Sequence, residues 1–174
     1  YAFDKEDDPE FIVLDGQQRL SALHYAFFQP DVKFRNRKNP IYFFIRVKEL
    51  LDENYEEAFF YYSRTKYYDE LVGDVKLQYE NHIFPLGIMQ QGSWGIDDWI
   101  KGYRDYWTDK SELEDNLEKK AELEASAAAA IEIRNIFSDL LNNYQVSYIS
   151  LSKELPLNKV CDIFTHINSK GKPL

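Results

Sequence analysis

The sequence predicts an α+β fold: a small sheet, helices packed on it, and a long helical insertion. Three observations carry this reading. Short apolar runs at residues 11–14, 40–47 and 144–151 have strand length and are rich in β-branched and aromatic residues. Between them, apolar residues recur at helical spacing. Residues 110–142 form a charged and Ala-rich stretch too long for a strand.

Each element follows from its pattern. Residues 4–10 are acidic and read as an exposed lead-in. Phe11-Ile12-Val13-Leu14 is a continuous apolar run, the signature of a buried strand. From Gln17 the period changes, and Leu20, Leu23 and Phe27 share one side of a helix that should end near Gln29-Pro30. Pro40-Ile41-Tyr42-Phe43-Phe44-Ile45-Arg46-Val47 reads as a strand buried on both faces. Residues 54–72 look helical, and residues 83–86 look extended. Gly92-Ser93-Trp94-Gly95 reads as a turn, followed by a helix from Ile96 to Trp107. Residues 110–142 predict a long helix with a break near Ser126 and an apolar stripe of Ile133, Ile136, Phe137, Leu140 and Leu141. Asn142-Asn143 ends it, and residues 144–151 alternate like a strand. Pro156 opens a last helix, amphipathic through Leu157, Val160, Cys161, Phe164 and Ile167, with Gly171 and Pro173 as its stop signal. Length and the lack of a repeat or linker make residues 1–174 a single domain, and both ends read as cuts inside a larger protein.

Composition narrows the function classes. The net charge of −9 argues against broad contact with a phosphate backbone. Lys33-Phe34-Arg35-Asn36-Arg37-Lys38 is a local basic cluster, read as a solvated loop. The aromatic share of 16% is concentrated between Tyr55 and Tyr79, which favours a buried aromatic core over a base-stacking face. A lone cysteine, Cys161, excludes an internal disulfide and a Cys-based zinc site, and its place on an apolar helix face predicts burial. No apolar run approaches the ~20 residues a membrane helix needs, so the expectation is a cytoplasmic protein without membrane contact. His24, His82 and His166 lack metal-ligand spacing and read as surface or satisfied core residues.

The chemistry concentrates in Val13-Leu14-Asp15-Gly16-Gln17-Gln18-Arg19-Leu20-Ser21-Ala22-Leu23. A segment that turns directly into a helix leaves the first-turn amides unpaired, and these with the helix dipole favour an anion. Gly16 lets another group approach the backbone. Arg19 falls in the first turn, where a cation is electrostatically misplaced unless an anion joins it, and where its guanidinium can clamp phosphate. Gln17 and Gln18 offer neutral donors and acceptors to phosphate, ribose or base. Asp15 can hold a metal ion, orient a water or cap the helix. The alternative is an ordinary Asp-capped turn with the other residues exposed. The spacing is neither a P-loop nor a dinucleotide fingerprint. A second polar cluster, His166-Ile167-Asn168-Ser169-Lys170-Gly171-Lys172, reads alone as a helix C-terminus.

Taken together, these residues carry a resemblance. Leu14-Asp15-Gly16-Gln17-Gln18-Arg19-Leu20-Ser21-Ala22-Leu23 closely resembles the (I/L)DGQQRL(T/S)xL signature of the N-terminal domain of GmrSD-type restriction enzymes. Phe164-Thr165-His166-Ile167-Asn168-Ser169-Lys170-Gly171-Lys172-Pro173-Leu174 resembles that family's second signature, F-x-x-I-N-[ST]-x-G-x-P-L. The resemblance implies a ParB/sulfiredoxin-like small mixed sheet. It implies an NTP-binding and NTP-hydrolysing domain of a modification-dependent, anti-phage restriction endonuclease, hence a hydrolase. Asp15 and Arg19 would then be catalytic, and Gly16, Gln17, Gln18 and Arg19 would bind the nucleotide. Asn168, Ser169, Lys170 and Gly171 would border the site. Mg²⁺ on Asp15 is the expected metal. DNA would be engaged through the full-length protein, whose C-terminal HNH-type nuclease domain is the expected partner, and a homo-oligomer stays open. Two other readings also stand: a non-catalytic module that senses modified DNA, and a protein-interaction module using residues 55–79.

Overall fold

A computed structural model describes residues 12–34 and 36–170; the side chains of Ile167, Asn168 and Lys170 lie outside the described set. The elements run in the order α1 (Gln17–Phe28), β1 (Ile41–Arg46), α2 (Val47–Leu51), α3 (Tyr55–Ala58), β2 (Phe59–Ser63), α4 (Lys66–Gly73), α5 (Val75–Glu80) and β3 (Ile83–Pro85). A 3-10 turn (Leu86–Gln91), α6 (Gly92–Glu112), α7 (Leu117–Asn143) and α8 (Leu157–Lys170) follow. The chain divides into two compact units, Tyr1–Asn142 and Asn143–Leu174, each described by itself. The fold is α+β. No described helix is long and apolar enough to cross a membrane.

The first unit is organised by β1. Its residues are apolar on both sides, so it can be satisfied only between two layers. β1 is the central strand of a three-stranded sheet, order β2-β1-β3, antiparallel throughout. Phe44 pairs with Phe60 of β2, and Ile45 pairs with Phe84 of β3. Side chains alternate across a strand. Tyr42 and Phe44 therefore share one face with Ile83, Phe60 and Tyr62, and α4 and α5 cover that face with Leu71, Tyr68 and Leu77. Phe43, Ile45 and Phe84 face the other way, into a larger cluster with Trp99, Ile100, Tyr103 and Trp107 of α6 and Ala130, Ile133 and Phe137 of α7. Aromatic rings fill this core, with Phe84 lying 4.9 Å from Trp99 and 4.6 Å from Phe137. Of the Tyr55–Tyr79 stretch expected to be buried, however, Tyr55, Phe59, Tyr61 and Tyr67 are exposed, the two on β2 because it is an edge strand with one face open. The buried amide of Gln78 is satisfied at both ends. Its Oε1 accepts from Trp99 Nε1 at 2.8 Å, and its Nε2 donates to the Leu71 carbonyl at 2.9 Å.

Several elements match their pattern closely. α1 ends where Gln29 turns left-handed (φ 43°) and its amide returns to the Tyr25 carbonyl. β1, β3 and α8 fall inside the predicted spans. Four readings are corrected. Residues 54–72 are not one helix. Phe59-Phe60-Tyr61-Tyr62 has strong β propensity, and pairing with β1 turns it into β2, leaving short helices on either side. Gly92-Ser93-Trp94-Gly95 is the first turn of α6 rather than a separate turn; Gly92 accepts φ 65° at the helix start. The long helix is not broken at Ser126, whose Oγ bonds the Glu122 carbonyl at 3.0 Å while Ala neighbours favour the helix. The break lies at residues 113–116, where Asn116 Oδ1 accepts from the amides of Glu118 and Lys119 and starts α7. Residues 12–14 and 144–151 form no ladder, because alternation makes a segment fit for a strand without providing a partner.

In the second unit, Leu157 and Phe164 of α8 are exposed, and so is Cys161, against the burial its helix face predicts. An apolar stripe marks which side of a helix can be covered, not that it is covered.

Candidate functional site: the helix start at Gly16

The start of α1 follows from its sequence. Gly16 takes a left-handed conformation (φ 79°, ψ 7°), which an L side chain disfavours. The Asp15 carboxylate turns onto the next amide instead of capping the helix: Oδ1 accepts from Gly16 N at 2.6 Å. Gly16 becomes the N-cap residue, and no side chain caps the helix. Gln17 folds back, its Nε2 donating to the Val13 carbonyl at 2.6 Å. The Gly16 carbonyl takes the Leu20 amide at 2.9 Å. The amides of Gln17, Gln18 and Arg19 precede that first helical bond and belong to the orphan donors of a helix start. The first turn holds no acidic residue.

Arg19 completes the corner. Its guanidinium lies over Gly16, with Nη2 3.6 Å from where a Cβ would stand. It pairs with Asp15 at 3.6 Å, with 76% and 55% of the two side chains exposed. An exposed i,i+4 pair contributes about 0.3–0.5 kcal/mol, so a competing anion could draw the guanidinium away at small cost. The structure brings Asp15, Gly16, Gln17, Gln18 and Arg19 into one exposed corner.

The second motif lies in the second unit. Asn168, Ser169 and Lys170 are in the last turn of α8, and Ser169 Oγ donates to the His166 carbonyl at 3.0 Å. Gly171 lies outside the described residues. Among the described residues, no group of three or more His, Cys, Asp or Glu side chains is placed to hold a metal ion.

A second feature carried no sequence signal beyond an Ala-rich run. The first unit has a cleft of about 490 Å³ between α2, α6, α7 and the residue before β3, with Lys48, His82, Trp107, Glu122 and Ala129 in its wall. His82 stands at φ 53°. Its Nδ1 lies 2.6 Å from the Tyr103 hydroxyl, and its ring stacks on Trp107 at 4.8 Å and 4°. Burial, and secondarily Lys48, push its pKa down to about 4, so it is neutral at physiological pH. Burial pushes Tyr103 up to about 12, opposed by the nearby Trp107 indole. Among the described residues, the buried Trp107 Nε1 has no hydrogen-bond partner.

Comparison with known proteins places this geometry in context. A family model described as the GmrSD restriction endonuclease N-terminal domain matches residues 2–174. An uncharacterized protein of Methanocaldococcus jannaschii is 28% identical over 108 residues, an alignment covering 59% of this chain and 19% of the relative. The chain thus spans about a fifth of the length of the curated relative it matches. No solved structure matches the chain.

Proposed function

The chain belongs to the GmrSD restriction endonuclease N-terminal domain family, and on that footing we propose that its Asp15-to-Arg19 corner binds the phosphates of a nucleotide and supports NTP hydrolysis within a modification-dependent restriction system. The observation that carries the reading is the start of α1. It has a left-handed Gly16, no side-chain cap, no acid in the first turn, and a guanidinium directly above.

The amides of Gln17, Gln18 and Arg19 would take phosphate oxygens, helped by the helix dipole. Arg19 would leave its weak contact with Asp15 and carry phosphate charge, with both terminal nitrogens available for a bidentate clamp. Gln17 and Gln18 would reach ribose or base. Asp15 would position the attacking water or hold Mg²⁺. The residues present fit that ion, which commonly takes one or two carboxylates, substrate phosphates and water rather than a full protein cage. Once bound, Mg²⁺ would neutralise charge on the phosphate oxygens. Rate enhancement would come mainly from preorganised charge and alignment. In the full-length protein, nucleotide state would gate DNA cutting by a C-terminal HNH-type domain.

Calorimetric titration of NTPs with and without Mg²⁺, on wild type and Arg19→Ala, tests this. Saturable binding that Arg19→Ala abolishes, with the circular dichroism spectrum unchanged, is the expected result. Binding retained by Arg19→Ala overturns it. Indifference to NTP with steeply salt-dependent DNA binding replaces it with the DNA-sensing reading.

A further inference from the structure

The cleft around His82 is built from parts that the nucleotide reading does not use. α7 presents Ala125, Ser126 and Ala129 toward α2 and α6, and these short side chains leave the space open. Its volume, about 490 Å³, falls within the range of small-ligand sites. Small residues alone would make only a dent. The polar groups around them are what distinguish this space.

Tyr103 is protonated at neutral pH. Burial raises its pKa, and the neighbouring Trp107 acts in the opposite sense. Its hydroxyl lies 2.6 Å from His82 Nδ1. Among the described residues, no hydrogen bond is made to His82 Nε2. The His82 ring stacks on Trp107. His82 holds this position in a left-handed backbone conformation that a histidine seldom adopts. Lys48 lines the same cleft and lies close enough to act on His82 electrostatically, yet it forms no ion pair among the described residues. Glu122 stands in the wall as well, also without an ion-pair partner.

We infer that Tyr103 donates to His82 Nδ1 and leaves the imidazole proton on Nε2, and that this cleft binds a small organic monoanion, its carboxylate held between the Lys48 ammonium and that Nε2–H and a flat apolar body resting among Leu51, Leu123 and Ala129. One cation and one neutral donor match one oxyanion, and Glu122 disfavours a polyphosphate. The inference is independent of the nucleotide corner.

2-Naphthoate serves as probe, titrated into the full chain by calorimetry. One saturable site is expected. Lys48→Met should weaken it tenfold or more, and Ala129→Leu, which fills the apolar end, should remove it. 2-Naphthol has the same body without the charge and should bind at least tenfold more weakly. Arg19→Ala and added NTP should leave naphthoate binding unchanged, which separates this site from the nucleotide corner. Circular dichroism of Ala129→Leu monitors folding, and Lys48→Met, an α2 side chain without an ion pair, tests the site independently. Absence of saturable binding, binding that neither variant alters, naphthol binding as tight as naphthoate, or competition by NTP overturns the inference.

Discussion

Lowering the pH should destabilise the first unit through His82. In the folded protein its pKa is pushed down to about 4, chiefly by burial. In the unfolded chain an imidazole takes a proton near 6.5. Above that value neither state is protonated and the group contributes no pH dependence. As the pH falls from 6.5 toward 4 the unfolded state gains the proton first, so stability is lost across that window and levels off below it. A shift from 6.5 to about 4 corresponds to at most roughly 3 kcal/mol, and about 2 kcal/mol is expected because the ring is only partly screened from water. His82→Asn removes the titration and keeps a residue that tolerates positive φ. Urea denaturation of both proteins between pH 7.5 and 4 measures the difference. Trp99 and Trp107 of α6 are buried in this core, so their fluorescence follows it. Lys48 and Glu122, which share the cleft wall with His82, are present in both proteins, so the comparison isolates the histidine. Tyr103, pushed up to about 12, stays protonated across this window. The wild type should therefore lose about 2 kcal/mol more than His82→Asn across the window. Parallel curves for the two proteins would refute the reasoning.

Two further outcomes follow from the packing. Phe44 is fully buried between sheet and helices, so Phe44→Ala should lower unfolding free energy by about 3–5 kcal/mol in the same urea assay; a loss below 1 kcal/mol would mean that β1 is not enclosed. At Gly102 an added Cβ would collide with the Tyr79 hydroxyl, so Gly102→Ala should cost about 1–3 kcal/mol. Removing that hydroxyl with Tyr79→Phe should recover part of the loss, and no recovery would argue against the contact.

The sequence showed best what depends on local spacing. β1 was legible because eight residues with no polar break before Arg46 suit only a strand covered on both sides. The helix start at Gly16 was legible because Asp-Gly followed by amides and Arg is locally encoded, although Gly16 rather than Asp15 takes the cap position. β2 was not legible: Phe59-Phe60-Tyr61-Tyr62 sits between good helix formers, and only the free edge of β1 decides its state. The helix break was misplaced because a lone Ser is a weaker signal than a capping Asn116, whose role shows only in its bonds. The His82 cleft was hidden for a different reason. Its parts come from residues 48, 82, 103–107 and 122–129, and no spacing rule links them.

Having apolar residues on both sides of β1 removes the usual safeguard against misalignment. When one side of a strand is wet, sliding by a single residue drives polar groups inward and is rejected; here such a slide would merely exchange one greasy layer for the other. Alignment must come from polar latches at the margins: the Tyr42 phenol on Asp31 at 2.9 Å, Asp31 on Arg64 at 3.3 Å, and the Asn39 amide on the Arg64 carbonyl at 3.3 Å. These surface contacts add little stability individually, and their value lies in telling the correct arrangement from its nearest neighbour.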